Sequence, residues 1–385
     1  MGQPTYADLI ARAKELVPSL VERARRAEAL RRLPDETIAD LLSTGLFAAF
    51  RPTRYGGIEV PFRAMIELGS ILASGCASTS WVYNNLVSHN WMLGYWPPEA
   101  QDEVWAADHD ALVGSGLVMA EGDVHATHGG WRIRGRWPYS SGIDPSAWVM
   151  LGGRIAGAAH LFLVPRQDFR VLDTWHVMGL IGTGSKDVVV DDAFVPAHRA
   201  VAMSVGAGGP HPGAAVNAGP VFRLPWLSVF SFVNAGTPLG IAQGAVRDFR
   251  GEMRRRAATY SGKALVDLVT LQMRLAEAAV LVDAAETVML KDCDEAMAIA
   301  ETSRAPDLLD RARWRRDGAY AAQLCARAID IVFAGAGGAA IHEDHPLQRA
   351  LRDVHAANGH IGVSWELNGS VYGRVALGLA PEFPL

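Results

Sequence analysis

The segment from Pro346 to Trp365, PLQRALRDVHAANGHIGVSW, places a histidine, His360, beside an apolar Ile361. An imidazole titrates near neutral pH, so it can take a phenolic or indolic proton or hold a substrate oxygen by hydrogen bond. A lone histidine is also a common packed or solvated residue, and local spacing does not separate these roles. A second candidate is the turn Ser140-Ser141-Gly142, at the end of a strand-like run. Gly142 would let the backbone approach a ligand, and a neighbouring hydroxyl could hydrogen-bond a ring nitrogen; an ordinary hairpin turn has the same composition. The run Met178-Gly179-Leu180-Ile181-Gly182-Thr183-Gly184-Ser185 looks like a phosphate-cradling loop, but it leads into β-rich Val188–Val190 rather than a helix N-terminus. Gly335-Ala336-Gly337-Gly338 reads equally as a helix junction. His342-Glu343-Asp344-His345 carries metal-ligand types without helical spacing or further evident ligands, so no metal is expected. No Gly-x-Ser-x-Gly elbow supports a hydrolase built on Ser141 and His360.

These groups need a scaffold, and 385 residues suffice for two or three domains with real cores. Half the residues are hydrophobic, with no uninterrupted apolar run near membrane length. A formal charge of −5 and a pI near 6.2 give no basic surplus, so neither nucleic acid nor membrane is an expected partner. Cys76, Cys293 and Cys325 are far apart, which argues against disulfides or a thiolate metal site and fits a reducing cytoplasm. The N-terminal stretch lacks the continuous apolar core of a secretory signal. Leu9, Ala13, Leu16, Leu20 and Ala24 recur at helical spacing, and Pro34-Asp35 starts a second helix with Ile38, Leu41 and Leu42 on one face. Short β-rich runs follow, at Trp131–Arg134, Trp148–Leu151, His160–Val164 and Val188–Val190, punctuated by Gly, Asp and Pro. Long helical segments return from about Leu227; LVTLQMRLAEAAVLVDAAETVML is apolar over much of its circumference, so burial between neighbours or subunits is expected. The expected domains are 1–110 helical, 111–220 β, and 221–385 helical.

Four motifs in this order resemble one family across nearly the whole chain: CASTSWVYNNLVSHNWML, GGWRIRGRWPYSSGIDPSAWVMLGG, WHVMGLIGTGSKDVVVDDAFVP and PLQRALRDVHAANGHIG. The resemblance is to the acyl-CoA dehydrogenase fold and, within it, to oxygenase components of two-component flavin-dependent monooxygenases. It implies an α+β multidomain protein with an N-terminal helical domain, a central antiparallel β-barrel and a C-terminal four-helix bundle that assembles as a homotetramer. It implies an enzyme that takes reduced flavin, FADH2 or FMNH2, from a separate NAD(P)H-dependent reductase. With O2 this would form a C4a-hydroperoxyflavin that hydroxylates a small aromatic acceptor such as a phenol, indole or polyketide ring. By the same resemblance, Ser141 lies at the flavin N5 edge, with Ser140 as the alternative. Gly142, Met178, Gly179, Gly182, Thr183, Gly335 and Gly337 also contact the flavin. His360 faces flavin and substrate, with His89, Trp81 and Asn85 in the pocket wall; helix packing alone would also account for His89.

Departures from the dehydrogenases are equally informative. Ile361 stands where their catalytic glutamate sits, and the alternative acid position falls near Ala257. Without a carboxylate over the flavin, thioester dehydrogenation loses its base. The adenine-gripping Arg-x-x-Phe-Gly segment is replaced by Ala258-Thr259-Tyr260-Ser261-Gly262, with Arg254–Arg256 one turn earlier as either phosphate ligands or a solvated face. The remaining alternatives are an N- or S-oxygenating relative, a dehydrogenase with a displaced base, and a non-catalytic flavoprotein or scaffold.

Overall fold

The computed structural model describes residues 4–119, 122–258, 261–302 and 304–385. Helix α1 (Tyr6–Leu30) starts at a capping box: the Thr5 hydroxyl accepts from the Asp8 amide at 3.2 Å, and the Asp8 carboxylate accepts from the Thr5 amide at 2.8 Å. Its buried face is Leu9, Ala13, Leu20, Ala24 and Ala27, with Leu16 partly buried against the same core. Helices α2 (Asp35–Ser43), α3 (Ala64–Ala73), α4 (Ala77–Leu93) and α5 (Pro98–Trp105) complete the first helical part. α4 is enclosed on nearly every side, so its polar residues must find partners inside the protein.

Among the described residues the chain then forms eight strands. β1 (Val113–Gly116), β4 (Trp148–Ile155), β5 (Ala158–Pro165) and β8 (Ala200–Ala202) make one sheet in the order β1-β4-β5-β8. β2 (Gly122–Thr127), β3 (Gly130–Ser140), β7 (Lys186–Pro196) and β6 (Arg170–Leu172) make the other, in the order β2-β3-β7-β6. Pairing is antiparallel throughout except for β1 with β4, which is parallel. Ile133, Trp137, Val149, Leu151, Phe162, Val164, Val188 and Val190 form the core between the sheets, and the Trp137 indole donates to the Gly152 carbonyl at 2.7 Å to tie them together.

Helices α6 (Trp226–Arg255), α7 (Val269–Glu301), α8 (Leu308–Ala336), α9 (Pro346–Asn358) and α10 (Trp365–Ala376) form the C-terminal part. α7 buries only one stripe, including Ala278, Val282, Ala285 and Met289, and leaves Val269, Met273 and Val280 at least 60% exposed. The span Leu308–Ile341 is long and apolar enough to cross a membrane by length and composition. Here α8 packs against α6, α7 and α10 and buries Trp314, Cys325, Ile329 and Val332, as a core helix does.

Candidate functional site

The end of β3 positions the serine turn. Its register against β7 shifts between Trp137 and Ser140, and Tyr139 adopts φ 64°; together these aim Ser140 and Ser141 differently. The Ser140 hydroxyl is buried beside Gly116 of β1, without a hydrogen-bond partner. Ser141 emerges on the side of α4, where its Oγ accepts from the Trp81 indole N–H at 3.1 Å. Gly142 follows at φ +68°, and a β-carbon there would lie 3.0 Å from Val82 and 3.1 Å from Leu86, so backbone conformation and helix contact both require glycine. Its amide donates to the Thr183 carbonyl at 3.2 Å, joining this turn to the second glycine-rich segment.

Counting protons fixes the direction of a buried hydroxyl chain. Thr183 Oγ1 donates to the Leu180 carbonyl at 2.9 Å, which commits its one proton. Across the 2.8 Å contact between Thr183 and Ser185 the donor is therefore Ser185. Across the 2.7 Å contact between Ser185 and Ser141 it is then Ser141. With Trp81 occupying one lone pair, the Ser141 oxygen offers a single remaining lone pair: it can accept from an incoming N–H, but has no proton left to give.

The Met178–Thr183 segment owes its course to close packing. A β-carbon on Gly179 would fall 2.1 Å from the Arg352 carbonyl, and one on Gly182 would fall 2.8 Å from Ala27. The Leu180 amide donates to the Asp353 carboxylate at 2.7 Å, and Arg352 donates to the Met178 carbonyl at 2.7 Å. Burial pushes the Asp353 carboxyl up to about 6. Gly179 and Gly182 thus turn and pack the chain, while the Met178 side chain is 62% exposed.

His360 follows α9 and begins a short turn, Ile361–Val363. Asn368 of α10 clamps that turn, donating to the Ser364 carbonyl at 2.8 Å and approaching the carbonyls of Ile361 and Gly362. The Asn358 amide ties the end of α9 to the Ala322 carbonyl at 3.0 Å. The His360 ring stands edge-on to Trp81, centroids 5.4 Å apart, with the Phe230 ring at 6.1 Å. The structure therefore brings Ser141, Trp81 and His360 together. Trp81, Asn85 and His89 recur every four residues along α4, on one face. The Asn85 side chain donates to the Trp81 carbonyl at 2.8 Å, and His89 Nδ1 meets the Val113 carbonyl at 2.7 Å.

The two imidazoles hold opposite tautomers. A carbonyl accepts only, so His89 carries its proton on Nδ1 and leaves Nε2 as an acceptor. The Gly362 amide donates to His360 Nδ1 at 3.0 Å, so that nitrogen is bare and Nε2 carries the proton. Desolvation lowers both rings to about 4. The neutral ring is favoured by burial, so protonation begins only as pH falls toward that value. NMR of ring-labelled protein is expected to show both rings neutral from pH 8 to 6, His89 as the Nδ1–H and His360 as the Nε2–H form. A midpoint above pH 6 or a shared tautomer would refute this assignment.

Gly335 and Gly337 lie apart from this cluster. Gly335 packs against Phe249 and Arg274, and Gly337 ends α8 at φ +66° facing open space. Ala257 lies beyond α6 in an isolated bridge to Ala264. Thr259 and Tyr260 fall outside the described residues. Arg256 pairs with Glu252 at 3.3 Å. His345 is bound to Glu252 at 2.5 Å, and no group of three or more potential metal ligands is present among the described residues. No carboxylate among the described residues hydrogen-bonds or ion-pairs with Ser141, Trp81 or His360. Ser185 and Asn368 were not visible as site residues in the sequence; the hydroxyl in Gly-Thr-Gly-Ser was the only signal.

The cluster fits an isoalloxazine. Ser141 presents one acceptor for a ring N–H, and exposed large side chains accompany it: Tyr139 at 69%, Met178 at 62% and Ile361 at 63%, the kind of exposed apolar surface a flat ring covers.

Residues 232–365 match the family described as "Acyl-CoA dehydrogenase, C-terminal domain". The chain is 33% identical to the FADH(2)-dependent resorcinol hydroxylase, oxygenase component, of Rhizobium sp., over 98% of this chain and 96% of that protein. It is 33% identical to the flavin-dependent monooxygenase oxygenase subunit HsaA of Rhodococcus jostii, over 96% and 98%. Among solved structures, 3-HSA hydroxylase from Rhodococcus sp. RHA1 superposes with a TM-score of 0.93 at 32% identity, covering 98% of each chain. XiaF from Streptomyces sp., in complex with FADH2 and glycerol, superposes with a TM-score of 0.91 at 30% identity, covering 98% of this chain and 97% of that one.

Proposed function

Because the chain belongs to the oxygenase components of flavin-dependent monooxygenases built on the acyl-CoA dehydrogenase fold, we propose that it hydroxylates a small aromatic acceptor at the cluster of Ser141, Trp81 and His360. The observation that carries this reading is the meeting of an acceptor-only hydroxyl with a neutral imidazole donor at one indole ring. Relatives named for resorcinol, p-hydroxyphenylacetate and indole-3-acetate support an aromatic acceptor. Reduced flavin, when bound, supplies two electrons and, with O2, the oxygen atom that enters the ring, while the second oxygen leaves as water.

In this reading the protein's own groups bind, orient and exclude water. Ser141, with one lone pair left and no proton to give, would hold reduced flavin by accepting from its N5–H and would offer no donor to the proton-free N5 of the oxidised form. Ser140, turned into the sheets, supports the turn rather than the ring, and Gly142 holds that turn against α4. Met178, Gly179, Gly182 and Thr183 form the adjoining edge. His360 would hold the acceptor's oxygen through Nε2–H, and His89, whose bare Nε2 is a hydrogen-bond acceptor, would line the wall with Trp81 and Asn85. Burial of this cluster keeps water away from the reacting atoms. Ile361 offers no base for a thioester, and the carboxylate of Asp353 is engaged by the Leu180 amide, which disfavours dehydrogenation.

The designation of the relatives as oxygenase components entails a separate reductase. Assembly as a homotetramer accounts for the exposed apolar stripe Val269, Met273 and Val280 of α7, and in that assembly Gly335 and Gly337 could meet a neighbour's flavin. Purified protein is expected to be nearly colourless and to consume O2 only when supplied with reduced flavin, converting resorcinol, p-hydroxyphenylacetate or indole-3-acetate to a product one oxygen heavier. A firmly held yellow flavin that bleaches with an acyl-CoA would contradict the proposal.

A further inference from the structure

Asn234, inside α6, is 1% exposed, yet neither its side-chain oxygen nor its nitrogen has a hydrogen-bond partner. A buried carboxamide that pairs with nothing costs its full desolvation, so native proteins rarely keep one without a use. Pro238, one turn later, has no N–H to offer the Asn234 carbonyl. This short stretch of α6 therefore lacks one helical N–H donor as well as a partner for its side chain. It also adjoins the cluster described above. Asn234 Nδ2 and His360 Nδ1 each lie 3.1 Å from where a β-carbon on Gly362 would stand, so they are separated by at most twice that distance. Phe230, one turn before Asn234, lies 3.3 Å from the same point and carries the ring that flanks His360. A β-carbon at 362 would crowd all three groups, so glycine there lets an amide, an imidazole edge and a phenyl ring close on one point.

We propose that Asn234 is a further substrate-binding residue, whose unpaired carboxamide receives a hydroxyl or ring N–H of the aromatic acceptor beside His360. A carboxamide both donates and accepts, which suits a phenolic hydroxyl that does the same. A site that reserves a buried polar group for its ligand discriminates against analogues lacking the matching group, because they leave it unpaired. This inference rests on the aromatic hydroxylase reading.

The test uses whichever of resorcinol, p-hydroxyphenylacetate or indole-3-acetate the wild-type chain hydroxylates. That compound is titrated against the full chain with reduced FAD, comparing wild type with Asn234→Leu and Asn234→Ser. The expected result for Asn234→Leu is a rise in acceptor KM of about tenfold, one buried polar contact's worth, with reduced-FAD affinity unchanged and thermal stability equal or higher. Asn234→Ser, which retains a hydroxyl, is expected to recover part of the loss and serves if the leucine variant does not fold. Unchanged acceptor KM in the variants, or a parallel loss of flavin affinity and stability, would overturn the assignment while leaving wild-type hydroxylation intact. A wild-type chain that binds reduced flavin but hydroxylates none of the three compounds would instead overturn the aromatic reading, and the role of Asn234 with it.

Discussion

His360→Ala is expected to lower hydroxylated product per turnover by roughly a hundredfold to a thousandfold, the range for deleting one preorganised donor from a dry site. The affinity for reduced flavin should stay within about twofold, since His360 bonds to Gly362 and packs edge-on to Trp81 and beside Phe230 rather than holding the turn that carries Ser141. Oxygen consumption should continue, with its electrons lost as hydrogen peroxide. Because the ring is neutral and its Nδ1 is capped by a backbone amide, glutamine at this position is expected to restore part of the product, as a neutral donor would. Product yield and peroxide, measured together with reduced FAD and an excess of acceptor, decide the matter: unchanged product in the alanine variant would remove His360 from the acceptor site.

The second large effect concerns Ser185, which touches no ligand in this account. Ser185→Ala deletes the acceptor of the Ser141 proton, so Ser141 becomes free to donate to a bare N5. Oxidised flavin should then bind about tenfold more tightly relative to reduced flavin, the worth of one hydrogen bond made available. Ser141→Ala should weaken reduced flavin without that gain and increase peroxide leakage. Anaerobic fluorescence titration with both redox forms separates the cases. An unchanged oxidised-to-reduced affinity ratio in Ser185→Ala would break the relay from Ser141 through Ser185 and Thr183 to the Leu180 carbonyl.

The scaffold was legible because its periodicities are local. Leu9, Ala13, Leu20 and Ala24 point one way from α1, and the β-rich runs at Trp148, His160 and Val188 became β4, β5 and β7. The choice between Ser140 and Ser141 was not legible, since it turns on a register shift and a left-handed Tyr139, and strand alternation alone cannot reveal where one residue is absorbed. The glycines of Met178–Ser185 drew attention to the backbone, whereas the site's order comes from its two hydroxyls. The apolar character of α7 could not say whether a partner helix or another subunit covers it. Asn234 was hidden in an apolar helix: only tertiary contacts reveal that its carboxamide is unpaired and beside His360.

The most direct test is a single turnover. The anaerobic complex of the full chain with one equivalent of reduced FAD is mixed with oxygenated buffer and an acceptor that supports steady-state hydroxylation, with no reductase present. Most of the flavin should reoxidise with formation of an equal amount of hydroxylated product, and Ser141→Ala should divert that yield to hydrogen peroxide. Reoxidation that gives only peroxide from the wild-type chain, or an identical yield from Ser141→Ala, would contradict the claim that the cluster of Ser141, Trp81 and His360 shelters oxygen transfer.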